Sequence, residues 1–334
     1  MRRALHLCAL LLLAACGQSP DVVLYCSLDQ EFAEPIVRAF ERRTALVVQA
    51  YYDVEANKSV GLRRRLQQEA ARPICDVFWN NEVVQTVVLA QGGLLAPYRS
   101  PASEGVDARW RDPHDLWCGF AARGRVLIVN TQVVPRESDR PAGLADFLEP
   151  ANAGQCAIAE PLTGTTAAHA AAWIARLGLP AALERFAALR RNHVEFAPGN
   201  AHVMRLVREG RLRFGWTDTD DCQSAIAAGY PVAMVVPDQQ PGGEGLVVIP
   251  NTVALVAGAP HPEAGRRLVD FLLAPETEAL LASGPSAQIP LHPGVPRPAH
   301  VLDLAPLRVA DVDWAAAGAA WEQHVPELEA VVRP

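Results

Sequence analysis

The sequence predicts an α/β protein of two lobes, each built on a doubly wound sheet, with a ligand cleft between them. Three observations carry this reading. Short apolar runs alternate with helix-length amphipathic segments from Val22 onward, the pattern of parallel βα units. The alternation occurs in two halves, and the extended segments Arg125–Val129 and Leu246–Val256 join them. The chain of 334 residues, half of them hydrophobic, has enough material for two cores of ordinary domain size.

In chain order, Val22–Cys26 reads as a strand. Glu31–Arg43 reads as a helix, with Phe32, Ile36, Val37 and Phe40 on one face. Leu46–Tyr52 is strand-like, and Asn57–Ala71 is helical with Val60, Leu62 and Leu66 as its apolar stripe. Asp76–Trp79 is a third strand, and Glu82–Gln91 a third helix stopped by Gly92-Gly93. Leu94–His114 is an irregular surface connection. The second half runs Cys156–Ala159 (strand), Thr166–Leu177 (helix), Ala201–Glu209 (helix) and Arg213–Trp216 (strand). It continues with Asp220–Ala228 (helix), Val232–Val236 (strand) and the long β-rich segment Leu246–Val256. Helices at Pro262–Leu273 and Pro275–Ser283 precede a proline-rich stretch from Pro285 to Pro298.

The first residues carry an export signature. Arg2 and Arg3 precede an uncharged run, Ala4–Ala15, which is shorter than the roughly 20 residues a membrane-spanning helix needs. The run ends in Leu13-Ala14-Ala15-Cys16-Gly17, which resembles a bacterial lipobox. Residues 1–15 are therefore expected to leave as a signal peptide, with Cys16 as the lipid anchor. Loss of Arg2 and Arg3 turns a net charge of −7 into −9, and an acidic balance argues against a nucleic-acid partner. Beyond Cys8 and Cys16 there are five cysteines and no Cys-x-x-Cys pair, so zinc-ribbon and thioredoxin chemistry lack support.

Six segments carry a family resemblance. In the first half they are Leu24–Phe32, Tyr52–Lys58 and Asp76–Glu82. In the second they are Pro161–Thr166, Gly215–Asp221 and Ile249–Ala254. Over nearly the whole mature chain these are similar to the extracellular solute-binding family that includes the ferric-iron-binding proteins. The resemblance implies a type II-like periplasmic-binding-protein fold and a hinge between lobes, with ABC permease and ATPase subunits as partners. It places the chain on the periplasmic side as a monomer that meets the membrane through its anchor alone. It further implies lobe 1 at 16–124 plus 250–334, lobe 2 at 125–249, and hinge segments at Arg125–Asn130 and Leu246–Val256. The cargo it implies is ferric iron, Fe(III), held with a synergistic anion; no cofactor and no catalysis are expected.

The site follows from what stands after each strand, since ligands in open α/β sheets sit beyond the strands' carboxyl ends. By the resemblance, Glu82 matches the acidic metal-binding position of ferric members. Their adjacent tyrosines are missing, because Trp216-Thr217-Asp218-Thr219-Asp220 stands there, and Ser27-Leu28-Asp29 replaces a histidine after the first strand. Ferric iron favours anionic oxygen, so Glu82, Asp218 and Asp220 form a candidate carboxylate site. Asp218 and Asp220 equally suit helix N-capping. Thr163-Gly164-Thr165-Thr166, opening a helix after a strand, makes an anion cradle or an ordinary cap. Ser27, Asn80 and Asn81 add neutral hydrogen bonds, and Trp216 offers a stacking face or core packing. Tyr51-Tyr52 and His169 read as structural, and Asp53, Glu55 and Asn57 as a cleft edge or a solvated turn. Carboxylates on one wall and an anion cradle on the other suit a metal–anion complex, or a zwitterion such as an aminophosphonate. No Gly-x-Ser-x-Gly, Gly-Lys-Ser/Thr or His-Glu-x-x-His motif supports an enzyme, though the carboxylates leave an acid–base pair open.

Overall fold

The computed structural model describes residues 19–53 and 60–333. The signal segment 1–15, Cys16, Glu55 and Asn57 lie outside those residues. The first half runs β1 (Val22–Cys26), α1 (Gln30–Thr44), β2 (Val48–Tyr52), α2 (Val60–Gln68), β3 (Val77–Asn80) and α3 (Val84–Gln91). Then come β4 (Leu95–Ala96), β5 (Cys118–Asn130), α4 (Leu144–Leu148), β6 (Cys156–Ala159), α5 (Gly164–Leu177) and α6 (Leu179–Arg191). β7 (Glu195–Ala197), α7 (Asn200–Arg208), β8 (Phe214–Asp218), α8 (Thr219–Ala227) and β9 (Val232–Val235) complete the middle of the chain. β10 (Val248–Val256), α9 (Pro262–Leu272), α10 (Pro275–Ser283) and α11 (Trp314–Val332) close it.

The strands form a continuous path, β2-β1-β3-β10-β5-β8-β6-β7, with β4 beside β10 and β9 beside β5. β1 is parallel to β2 and β3, and β6 is parallel to β7 and β8. β1, β3 and β6 are buried along their whole length, as continuous apolar runs in helix-covered parallel sheets should be. β5 belongs to both sheets: Cys118–Gly124 pairs with β10, and Arg125–Asn130 pairs with β8 and β9.

β5 is much longer than the strand expected at Arg125–Val129. Arg123 and Arg125 interrupt the apolar pattern within it, yet both are buried. The strand also carries a bulge. The register with β10 shifts between Pro250 and Asn251, and Ala121 adopts φ +41°. A bulge leaves its extra residue unpaired by the ladder. Here side chains supply the partners: Glu278 accepts from the Ala121 N–H at 2.7 Å, and Asn251 Nδ2 donates to the Ala121 carbonyl. The two segments expected to flex, Arg125–Asn130 and Leu246–Val256, are strand-paired over most of their length. The irregular point lies just before the first of them on β5, and within the second, at Pro250 and Asn251, on β10.

Sequence periodicity did not reveal α6, β7 or α11. α11 crosses from one half to the other, packing on α3 and also on α5 and α6. Gly318 permits the close approach, since a Cβ there would lie 2.3 Å from Val87 Cγ1. At its far end, Arg190 Nη1 donates to the Val332 carbonyl at 2.6 Å. The lobe division drawn from the sequence assigns this helix to lobe 1 alone, whereas its contacts are shared.

Tyr51 packs edge-on against Tyr25 with centroids 5.4 Å apart, under the Arg65 guanidinium. The cysteines at 26, 75, 118, 156 and 222 are all buried, as small hydrophobes are.

Candidate functional site

A candidate cleft lies where the two sheets meet, in a cavity of about 240 Å³. One wall is the start of α5. Thr163 is extended and occupies the N-cap, and Gly164 follows at φ +59°, a left-handed conformation that suits glycine. Thr163, Gly164, Thr165 and Thr166 all line the cleft, so the open N–H groups and positive end of this 14-residue helix face into it.

Within that wall stands a largely buried network centred on Asp218, the last residue of β8, which with Thr165 and Asn200 lines the cleft. Its carboxylate accepts from Arg125 Nη1 at 2.7 Å, Thr165 Oγ1 at 2.5 Å and Asn200 Nδ2 at 2.9 Å. The Arg125 and Asp218 side chains are only 1% and 4% exposed. Such a pair repays its desolvation only with good geometry and further hydrogen bonds, and both are present. Asp218 therefore joins β5, β8, α5 and α7 and has its charge balanced. Its neighbours at the start of α8, Asp220 and Asp221, also line the cleft. One carboxylate oxygen each from Asp218, Asp220 and Asp221 fall within 4.8 Å of one another, a spacing that can hold a cation.

The opposite wall comes from the first half of the chain. Asp29, Glu31 and Phe32 at the start of α1, with Asn81 and Arg123, line it. Arg123 Nη2 donates to the Asn81 carbonyl, and its Nη1 lies 3.8 Å from Asp220 across the cleft.

Several residues expected at the site stand behind it. Glu82 does not line the cavity. It is 1% exposed, and its carboxylate accepts from the backbone N–H groups of Val84 at 2.6 Å and Gln85 at 2.9 Å, and from Asn80 Nδ2 at 3.1 Å. It thus caps α3 instead of reaching a ligand. Burial pushes its carboxyl up to about 7, against the pull of those hydrogen bonds and the charge of Arg123. Ser27 and Asn80 are buried beside it, so of the first-wall residues expected from the sequence only Asn81 faces the cavity. Trp216 stacks on Phe147 at 5.5 Å and meets His169 and Trp173 edge-on. Thr217 Oγ1 donates to Asp221 at 3.1 Å, away from the cavity lining. His169 is fully enclosed, and burial lowers its pKa well below the usual histidine value.

Sequence reasoning missed Arg123, Arg125, Asn200 and Asp221. The pair Arg123-Gly124-Arg125 inside a hydrophobic run was the available signal, because buried charges are rarely tolerated without a partner. Asn200 opens α7 after Pro198-Gly199, and nothing local distinguishes it from a cap.

A family profile described as "Bacterial extracellular solute-binding protein" matches residues 62–315. The chain belongs to this family of solute-binding proteins. Iron uptake protein A1 of Synechocystis sp. is 25% identical over 310 residues, covering 85% of this chain and 83% of that one. The AfuA periplasmic binding protein of Actinobacillus pleuropneumoniae, with exogenous fructose-6-phosphate bound, superposes with a TM-score of 0.79 at 21% identity. That match covers 92% of this chain and 98% of the other. A Trichodesmium protein (IdiA, FutA) in complex with iron and citrate gives a TM-score of 0.76 at 20% identity, covering 93% and 99%. The shared fold is the two-lobed, mixed α/β architecture of periplasmic binding proteins.

Proposed function

We propose that this solute-binding protein captures ferric iron as a complex with a small carboxylate anion of citrate size, and presents it to the permease of an ABC importer. One observation carries the reading. An anion seat and a cation seat adjoin in a single cleft: the N-terminus of α5 and, beside it on the same wall, Asp220 with Asp221. The volume of about 240 Å³ suits a chelate better than a bare ion. The Synechocystis relative named for iron uptake and the Trichodesmium structure with iron and citrate lend the reading support.

Ligand contacts on both walls would draw the lobes together about the β5 crossing, with the bulge at Ala121 as the pivot. The ligand is bound and released unchanged, with the cleft carboxylates acting as contacts and not as an acid–base pair. The protein works as an exported monomer held to the membrane by Cys16, with residues 1–15 removed.

A second reading, a metal-free organic phosphate or phosphonate, draws on a specific observation. Asp218 is neutralised by Arg125 and Glu82 is a buried cap, while Arg123 brings a positive charge to the cleft. Equilibrium dialysis of the mature protein against ferric citrate, citrate and fructose-6-phosphate separates the two. The first reading expects one ferric citrate per chain and citrate at least about tenfold weaker. Retention of the phosphate ester with indifference to ferric citrate would transfer the assignment to the second.

A further inference from the structure

Glu82, Asn80 and Ser27 are buried behind the first wall, and each ends in a hydrogen bond that leads to the next. Glu82 Oε1 accepts from Asn80 Nδ2 at 3.1 Å. Asn80 Oδ1 accepts from Ser27 Oγ at 2.5 Å, and Ser27 Oγ in turn accepts from the backbone N–H of Asn81 at 2.9 Å. Asn81 is thereby held at its backbone nitrogen, and its carbonyl, in the next peptide unit toward Glu82, accepts from the guanidinium of Arg123. The chain of contacts begins at a helix cap and ends at the only arginine that lines the cleft among the described residues.

Arg123 needs such a hold. It is 4% exposed, and its Nε has no partner among the described residues. The Arg123 side chain lines the cleft, where the anionic end of a ligand would meet its charge. Arg123 sits between Asn81 of one wall and Asp220 of the other, so its aim decides which of the two it serves.

We propose that Ser27, Asn80 and Glu82 are positioning residues that aim Arg123 at the ligand's anionic group. The proposal rests on the reading of the cleft as the seat of an anion-bearing ligand. It assigns the three residues a function at one remove: none touches the ligand, and each orients the group that does. Thr86 and Thr252 brace the relay from the β10 side, with their hydroxyls 2.7 Å apart and Thr86 Oγ1 accepting from Asn80 Nδ2 at 3.1 Å.

The test uses the mature protein and the variants Ser27→Ala and Glu82→Gln. Labelling of Arg123 by phenylglyoxal in ligand-free protein, followed by mass spectrometry, reads the hold on the guanidinium directly. Disruption of these buried hydrogen bonds should speed labelling at least about fivefold in both variants and weaken ferric citrate about tenfold. Unchanged Arg123 labelling in folded variants overturns the proposal, whatever happens to affinity. Faster labelling in a protein whose wild type ignores ferric citrate supports the positioning and overturns the ligand assignment instead. Ser27→Ala removes a single hydroxyl and carries the test alone if Glu82→Gln does not fold.

Discussion

Asp218 behaves as a structural charge, and its hydrogen-bond partners explain why. Three donors converge on it, and one of them, the Arg125 guanidinium, is buried without access to water. Asp218→Ala would strand that cation, at a cost of about 3–5 kcal/mol. Equilibrium urea unfolding checks this, and a loss below about 1 kcal/mol would mean that the network is loose. The nearby Asp220 and Asp221 share the same sequence motif and line the same cavity as Asp218, but from the start of a helix and outside its network of three donors. Residue type alone could not separate these roles. The same limit applied to Asn81 and Glu82, where adjacent side chains point different ways. The acidic residue drew attention in the sequence, and its amide neighbour is the one that lines the cleft.

At the scale of elements, periodicity located most strands and helices, and β1, β6 and α10 begin and end where the sequence placed them. It failed where chemistry interrupts the period. Arg123, Gly124 and Arg125 hid the first half of β5, because their partners come from distant segments. α11 was hidden by its run of Ala and Gly, from Ala315 to Ala320, and by Pro326. The bulge in β5 depends on α10, whose Glu278 also accepts from His292 Nδ1 at 2.9 Å. His292 Nε2 faces the Ala102 carbonyl at 2.8 Å, so both ring nitrogens donate when the ring is charged. Burial pulls the His292 pKa down, but Glu278 and the Ala102 carbonyl raise it overall. For Glu278, burial acts upward, yet His292 and the N–H groups of Ala121, Leu291 and His292 bring it below its usual value. The histidine's contribution to stability is thus complete below its unfolded pKa and fades as pH rises through its folded one. The glutamate's contribution is present above its unfolded pKa and fades as pH falls through its folded one. Wild type should therefore exceed His292→Gln in melting temperature most at about pH 5–6, with a smaller gap above about pH 8. Melting curves across that range check the expectation, and a gap that widens toward alkaline pH would contradict it.

Over the whole molecule, the two halves meet along β5 and under α11, and the cleft opens where the strands of both sheets end. The family and the bilobal fold were legible because the resemblance is spread over six segments at strand ends, from Leu24–Phe32 to Ile249–Ala254, and the strand–helix alternation runs through both halves. The ligand was less legible, because its seat is assembled from α1, β5, α5 and α8, which are far apart in sequence. The proposed function requires that the cleft hold a metal–anion complex and need both components. Thermal melting of the mature protein with ferric citrate and with citrate alone tests it most directly, alongside an Asp220→Asn, Asp221→Asn double variant. At about 100 times its dissociation constant a ligand adds roughly 2.7 kcal/mol, or about 5 °C or more here. Wild type should show that shift with ferric citrate and a clearly smaller one with citrate, and the double variant should lose it. Equal shifts from citrate and ferric citrate, or none from either, would contradict the proposed function.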